Sequence, residues 1–207
     1  MALILRIFHR SVFLFLFILT VQQIHAQRFR AGVVAGLNAS QIRGDDTGGY
    51  NKLGFVGGLR GIIVLTDRSD LSIELLYSER GSKNDSQEPV DIEINLKYAE
   101  VPILFNYKDW YVEDGNYYRV QASAGFSFSR LLDATSAGST SKYINETGNF
   151  TDNDFSFVIG GEFFFNRHLA LGFRWNSSFN KLFKNDNARG KNSLRGYFLS
   201  FRTAYIF

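Results

Sequence analysis

Cysteine is absent from the 207 residues, proline occurs twice and methionine once. Without cysteine there is no disulfide, no lipid-modified cysteine anchor and no thiolate nucleophile or thiolate zinc ligand. Histidine is almost as scarce: of three, His9 and His25 lie near the amino terminus, which leaves His168 for the rest of the chain. Long apolar runs are missing too. Beyond residue 26 none approaches the roughly 20 residues that a membrane-spanning helix needs, so the apolar side chains are spread among polar ones. An excess of one charge sign is also lacking. Once Arg6 and Arg10 are set aside with the first 26 residues, 21 of the 23 basic side chains remain against 20 acidic ones. That near-neutrality argues against a nucleic-acid partner, which calls for a clustered basic surface.

The amino terminus reads as a targeting segment. Arg6 and Arg10 make a basic start, Ser11 to Val21 an apolar core, and Ile24-His25-Ala26 places a small residue before a cut. This pattern predicts a signal peptide over residues 1–26, cleaved between Ala26 and Gln27. A membrane anchor is the alternative, but the apolar core is about half of spanning length. Residues 27–207 then form one domain.

What the chain has in abundance is aromatics, with 21 Phe and 10 Tyr. Their spacing carries the fold. Leu169, Leu171, Phe173, Trp175 and Phe179 alternate with Ala170, Gly172, Arg174, Asn176, Ser178 and Asn180, a period of two that predicts a strand with one oily face. Tyr197, Leu199, Phe201, Thr203, Tyr205 and Phe207 repeat the pattern. The same template predicts eight strands, near residues 28–41, 53–65, 71–80, 94–107, 117–131, 154–165, 169–181 and 194–207. Their connections alternate between short (66–70, 108–116, 166–168) and long and polar (42–52, 81–93, 132–153, 182–193). Short periplasmic turns and longer outer loops are a feature of outer-membrane barrels. An eight-stranded antiparallel transmembrane β-barrel is therefore expected, in the outer membrane, with both termini periplasmic. A soluble barrel or sandwich would put Lys and Glu on its second face, whereas here that face carries Gly, Ala, Ser and isolated charges, as the inside of a narrow barrel would. Aromatics near both strand ends, Tyr107, Phe165, Tyr205 and Phe207 at one and Tyr77, Phe179 and Tyr197 at the other, suit the two membrane interfaces.

The inward positions include Arg30, Arg60, Glu74, Arg80, Glu100, Arg119, Glu162, Arg174 and Arg202. If the two tight turns pair Leu65 with Leu71 and Phe165 with Leu169, Glu74 lies diagonally from Arg60 and Glu162 from Arg174. A polar lumen network of Arg60, Glu74, Glu100, Arg119, Glu162, Arg174 and Arg202 is expected, read as a structural plug in preference to an ion path, because eight strands leave an interior that side chains fill. Leu76, Phe164 and Phe198 add bulk, which weighs against an open pore. Pro102 cannot donate to a ladder, so a bulge near it is expected.

Chemistry-bearing motifs are few. His168 falls in a tight turn, where a plain turn residue is expected. Asp45, Asp46, Asp152 and Asp154 lack the spacing of a calcium loop and read as solvated loop acids. Gly57-Gly58-Leu59-Arg60-Gly61 lacks dinucleotide-binding spacing and lies in a strand. No enzyme activity, cofactor or metal is expected.

Three segments, Phe29 to Ser40, Glu74 to Gly81, and Leu96 to Tyr107 with its Tyr98-x-Glu100-x-Pro102 core, closely resemble the PorT-like family of outer-membrane β-barrel proteins. The resemblance implies that Pro102 is a family feature, that the protein sits in outer-membrane lipid, and that Phe201, Tyr205 and Phe207 form the carboxy-terminal signal read by the barrel assembly machinery. It also brings in the family's namesake role in type IX protein secretion, with secretion-system proteins as partners. A structural or interaction role fits these readings, with a narrow pore, a small-ligand or lipid-binding barrel and a lipid-deacylating barrel enzyme as alternatives.

Overall fold

The computed structural model describes residues 29–43, 49–83, 93–137, 150–182 and 195–207. The expected leader, with its cleavage site at Ala26 and Gln27, lies outside the described residues, as do Asp45, Asp46 and most of the four long connections.

Alternating side chains fold into eight antiparallel strands: β1 (Phe29–Arg43), β2 (Lys52–Val64), β3 (Ser69–Lys83), β4 (Glu93–Val112), β5 (Tyr117–Ala137), β6 (Asn153–Phe164), β7 (Leu169–Ser178) and β8 (Arg195–Ile206). Each strand pairs with its sequence neighbours, and β1 pairs with β8 to close the barrel. Every strand is long enough to cross a bilayer, for which about 9–11 residues suffice.

The three short connections are tight. Between β2 and β3 the Leu65 and Thr66 amides both donate to Ser69 O at 3.0 Å. Between β6 and β7 the Asn166 carboxamide oxygen accepts from the His168 and Leu169 amides, each at 2.8 Å, a side chain standing in for a backbone turn. Between β4 and β5 the turn is only 113–116, closed by Asn116 N donating to Glu113 O at 3.1 Å, with Asn116 at φ 50°. Residues 108–112, expected in a loop, instead continue β4.

The two faces differ as a membrane barrel requires. Outward residues are apolar and open, with Leu59 and Phe126 each 62% exposed and Phe155 53%. Inward positions are polar, small or tightly packed. Long inward side chains face inward glycines: Arg174 pairs with Gly160, and Gly172 pairs with both Glu162 and Arg202. A Cβ on Gly160 would lie 2.4 Å from the Phe173 carbonyl oxygen and 2.7 Å from Arg174 Cγ.

Pro102 is accommodated without a bulge at its own position. It pairs with Ser127 on β5, while on the other side the β3–β4 ladder passes from Ile73 with Ile103 to Leu76 with Glu100. The missing donor falls in that gap. The bulge of this hairpin lies nearer the long-loop end, at Lys97 and Tyr98.

Gly160→Val should lower stability by about 1–3 kcal/mol through overpacking, whereas Ala124→Val on the outer face should stay within about 0.5 kcal/mol. Urea unfolding in lipid vesicles reads both.

Candidate functional site

The chemistry-bearing side chains converge inside the barrel. Arg60 on β2, Glu74 on β3, Glu162 on β6, Arg174 on β7 and Arg202 on β8 are all buried. Arg60 donates from Nε to Glu74 at 2.7 Å and from both terminal nitrogens to Glu162 at 2.7 and 2.5 Å. Arg174 grips Glu74 in the same forked manner, at 2.7 and 2.8 Å, and reaches Glu162 at 3.4 Å. Arg202 adds a third contact to Glu74 at 3.2 Å, its Nε donating to Ser200 at 2.8 Å.

Both pairs expected from the hairpins are in contact, but the forked pairs are others. Glu74 lies directly opposite Arg60, not diagonally, because the turn pairs Val64 with Asp70. Glu162 is diagonal to Arg174, since it pairs with Gly172 while Arg174 pairs with Gly160. Yet Glu162 gives its two oxygens to Arg60, and Glu74 gives its two to Arg174. Strands β2 and β6 stand four apart in a ring of eight, as do β3 and β7. Each forked bond therefore crosses the barrel as a brace between opposite walls. Two parallel N–H···O bonds fix orientation as well as distance.

A second cluster centres on Arg80 of β3. Its guanidinium bonds Glu100, Asp154 at 3.1 Å, Ser129 at 3.2 Å and Ser78 at 3.1 Å, and lies 4.0 Å from the Phe198 ring centre and 5.0 Å from that of Tyr98. Ser127 donates to the other oxygen of Glu100 at 2.9 Å. Tyr98 and Glu100, two of the three residues of the Tyr-x-Glu-x-Pro core, thus both serve Arg80. Asp154 is not a solvated loop acid: it is 1% exposed and part of this cluster, a placement that its parity with Glu162 on β6 already encodes. Asp152 is exposed and pairs with Arg130 at 3.1 Å.

Arg119 stands apart from the network. Trp110, opposite it, adopts φ 60°, and the β4–β5 ladder passes from Asp109 with Val120 to Tyr111 with Tyr118. Arg119 consequently lies against aromatic rings at the short-turn rim, 5.4 Å from Trp110 and 6.0 Å from Phe163. Phe201, Tyr205 and Phe207 are exposed on the outer face, Phe201 against Phe173 and Tyr205 against Phe207 and His168.

Apolar packing occupies much of the remaining lumen. Ile42, Ile94, Leu96, Tyr98 and Phe150 cluster at the long-loop end, and Val34, Val56, Ile62, Leu76, Ala170, Ala204 and Ile206, joined by Phe164, form a second cluster. Among the described residues no group of three His, Asp or Glu side chains is placed to hold a metal ion.

Removing one member of a buried pair strands its partner, at about 3–5 kcal/mol. Glu162→Ala should cost that much, and adding Arg60→Ala should recover part of it. The coupling energy from a double-mutant cycle should be larger for Arg60 with Glu162 than for Arg174 with Glu162.

Comparison with protein families agrees with this architecture. The family model described as "Outer membrane protein beta-barrel domain" matches residues 22–184. Among solved structures, the attachment invasion locus protein Ail of Yersinia pestis is 12% identical, with a TM-score of 0.49 over 86% of this chain and 98% of that one. OprG of Pseudomonas aeruginosa is 12% identical, with 0.41 over 86% and 94%. Neisserial surface protein A is 15% identical, with 0.42 over 86% and 96%. Comparison with curated proteins finds no match. The chain belongs to the outer membrane protein beta-barrel domain family, an integral protein of that membrane.

Proposed function

We propose that this protein is a closed, non-conducting outer-membrane barrel that works through its two rims, in a structural or interaction role, and not through its lumen. The observation that carries the reading is the pair of forked Arg–Glu braces across the barrel, Arg60 to Glu162 and Arg174 to Glu74, with apolar clusters completing the fill. Short turns beside long connections support an orientation with the turns and both termini in the periplasm, reached after a leader is removed at Ala26 and the barrel is inserted into outer-membrane lipid by the assembly machinery. The resemblance to the PorT-like family supports accessory service to type IX protein secretion, with secretion-system proteins at the rims. A non-catalytic role is supported by His168, whose Nδ1 donates to the Ile206 carbonyl at 2.7 Å while its ring stacks on Tyr205.

A small-ligand-binding barrel is a second reading, favoured by an open cavity at the short-turn end. For the closed-lumen reading, single-channel recording in a planar bilayer should show no steady openings. Sustained conductance from the intact protein would contradict it. For the secretion reading, deletion of the gene should leave type IX cargo inside the cell, and undiminished export would remove that role.

A further inference from the structure

We propose that the short-turn end of the barrel is a binding site for a small organic anion with an aromatic body. A cavity of about 560 Å³ opens there, within the roughly 300–1,000 Å³ usual for small-molecule sites. Its floor is apolar: Ile62, Phe164 and Ile206 belong to the cluster that fills the barrel beneath. Tyrosines supply the wall, and their hydroxyls are engaged. Tyr111 donates to Asn116 Oδ1 at 2.6 Å and packs at 5.1 Å against Tyr118 with the rings tilted by 54°, and Tyr117 donates to the Phe165 carbonyl at 3.0 Å. These bonds pin the rings, and a ring held by its own hydroxyl contact offers an apolar face that need not be ordered again on binding.

The side-chain charge of the lining is positive on balance. Arg30 and Arg167 are both exposed there. Arg167 Nε donates to the Gly115 carbonyl at 2.5 Å, which anchors the guanidinium while using one of its five donors. Arg30 has no hydrogen-bond or ion-pair partner among the described residues. Of the two acidic side chains lining the cavity, Asp70 is buried and already compensated by Lys108 at 2.8 Å and Asn106 at 2.6 Å, so Asp67 is the acidic side chain left to face the two arginines. Guanidiniums bind carboxylate, sulfonate or phosphate with directed N–H donors, and an apolar floor rewards a ring over a bare ion. The floor is the packed lumen, so the ligand is held and not passed through. This placement depends on the barrel's turn-side geometry and not on the secretion role.

The test uses the full barrel in zwitterionic lipid nanodiscs, titrated calorimetrically with naphthalene-2-sulfonate, with empty nanodiscs as the blank. Saturable binding is expected above the blank, and the neutral 2-naphthol and inorganic sulfate should each bind at least about tenfold more weakly. Arg30→Gln and Arg167→Gln should each weaken sulfonate binding about tenfold while retaining heat-modifiable gel migration, because both side chains are exposed. Absence of saturable binding would overturn the proposal, as would equal affinity for 2-naphthol or sulfate, or undiminished binding by the folded double variant. If the variants do not fold, the three-ligand comparison on the unaltered protein still decides.

Discussion

A guanidinium taken out of water must meet a carboxylate, and a carboxylate taken out of water must meet a cation. In the two clusters inside this barrel four arginines, Arg60, Arg80, Arg174 and Arg202, face four acids, Glu74, Glu100, Asp154 and Glu162, and the fifth buried acid, Asp70, is met by Lys108. The signs balance, and the contacts are made by specific pairs of atoms. Replacing one charge would leave a desolvated partner, the circumstance in which buried ion pairs are most consequential. The remaining interior follows from that constraint. Glycines Gly160 and Gly172 stand opposite the long side chains because those side chains need their volume, and serines such as Ser78, Ser129 and Ser200 accept from the arginine N–H groups that the carboxylates leave.

The network also accounts for register. With a side-chain period of two, a slip of one residue in any strand would turn its inward charge toward lipid and its outward Phe or Leu into the lumen. Because the forked bonds join β2 to β6 and β3 to β7, a slip in one strand also breaks a brace on the far wall. Local pairing in each hairpin is thereby coupled to closure of the ring, a reason for the polar core to be ionic where eight apolar faces would also fill the space. On the proposed reading, the filled lumen leaves the rims as the surfaces available for work.

How much of this is legible from sequence depends on range. Alternation revealed the eight strands, and the turn residues between Val64 and Ser69 and between Phe164 and Leu169 revealed two hairpins to within a residue or two. The inward set containing Arg60, Glu74, Glu162 and Arg174 follows from parity. The partners of those residues do not, because a hairpin shows only its two strands, whereas Glu162 meets Arg60 after 102 residues of chain and half a circuit of the barrel. Asp154 is legible by parity but reads as a loop acid because it lies one residue inside the start of β6. Arg119 misleads for the opposite reason. Parity directs it inward, but the left-handed backbone of Trp110 interrupts the ladder there, and no residue type in the sequence announces that a tryptophan will adopt it. Pro102 shows a third kind of gap: the missing donor is visible in sequence, while the choice between a bulge and a local opening of one ladder rests on how β3 and β4 pair.

The central claim, that the lumen is dry and its charges are bonded to one another, is tested most directly by the arginine side-chain N–H groups. In nitrogen-15-labelled protein in micelles, the Nε–H protons of Arg60, Arg80 and Arg202, which donate to Glu74, Ser78 and Ser200, should exchange with water slowly enough to give separate, persistent resonances. Rapid exchange of all three, indistinguishable from exposed arginines such as Arg30, would mean a water-filled lumen and would contradict the account.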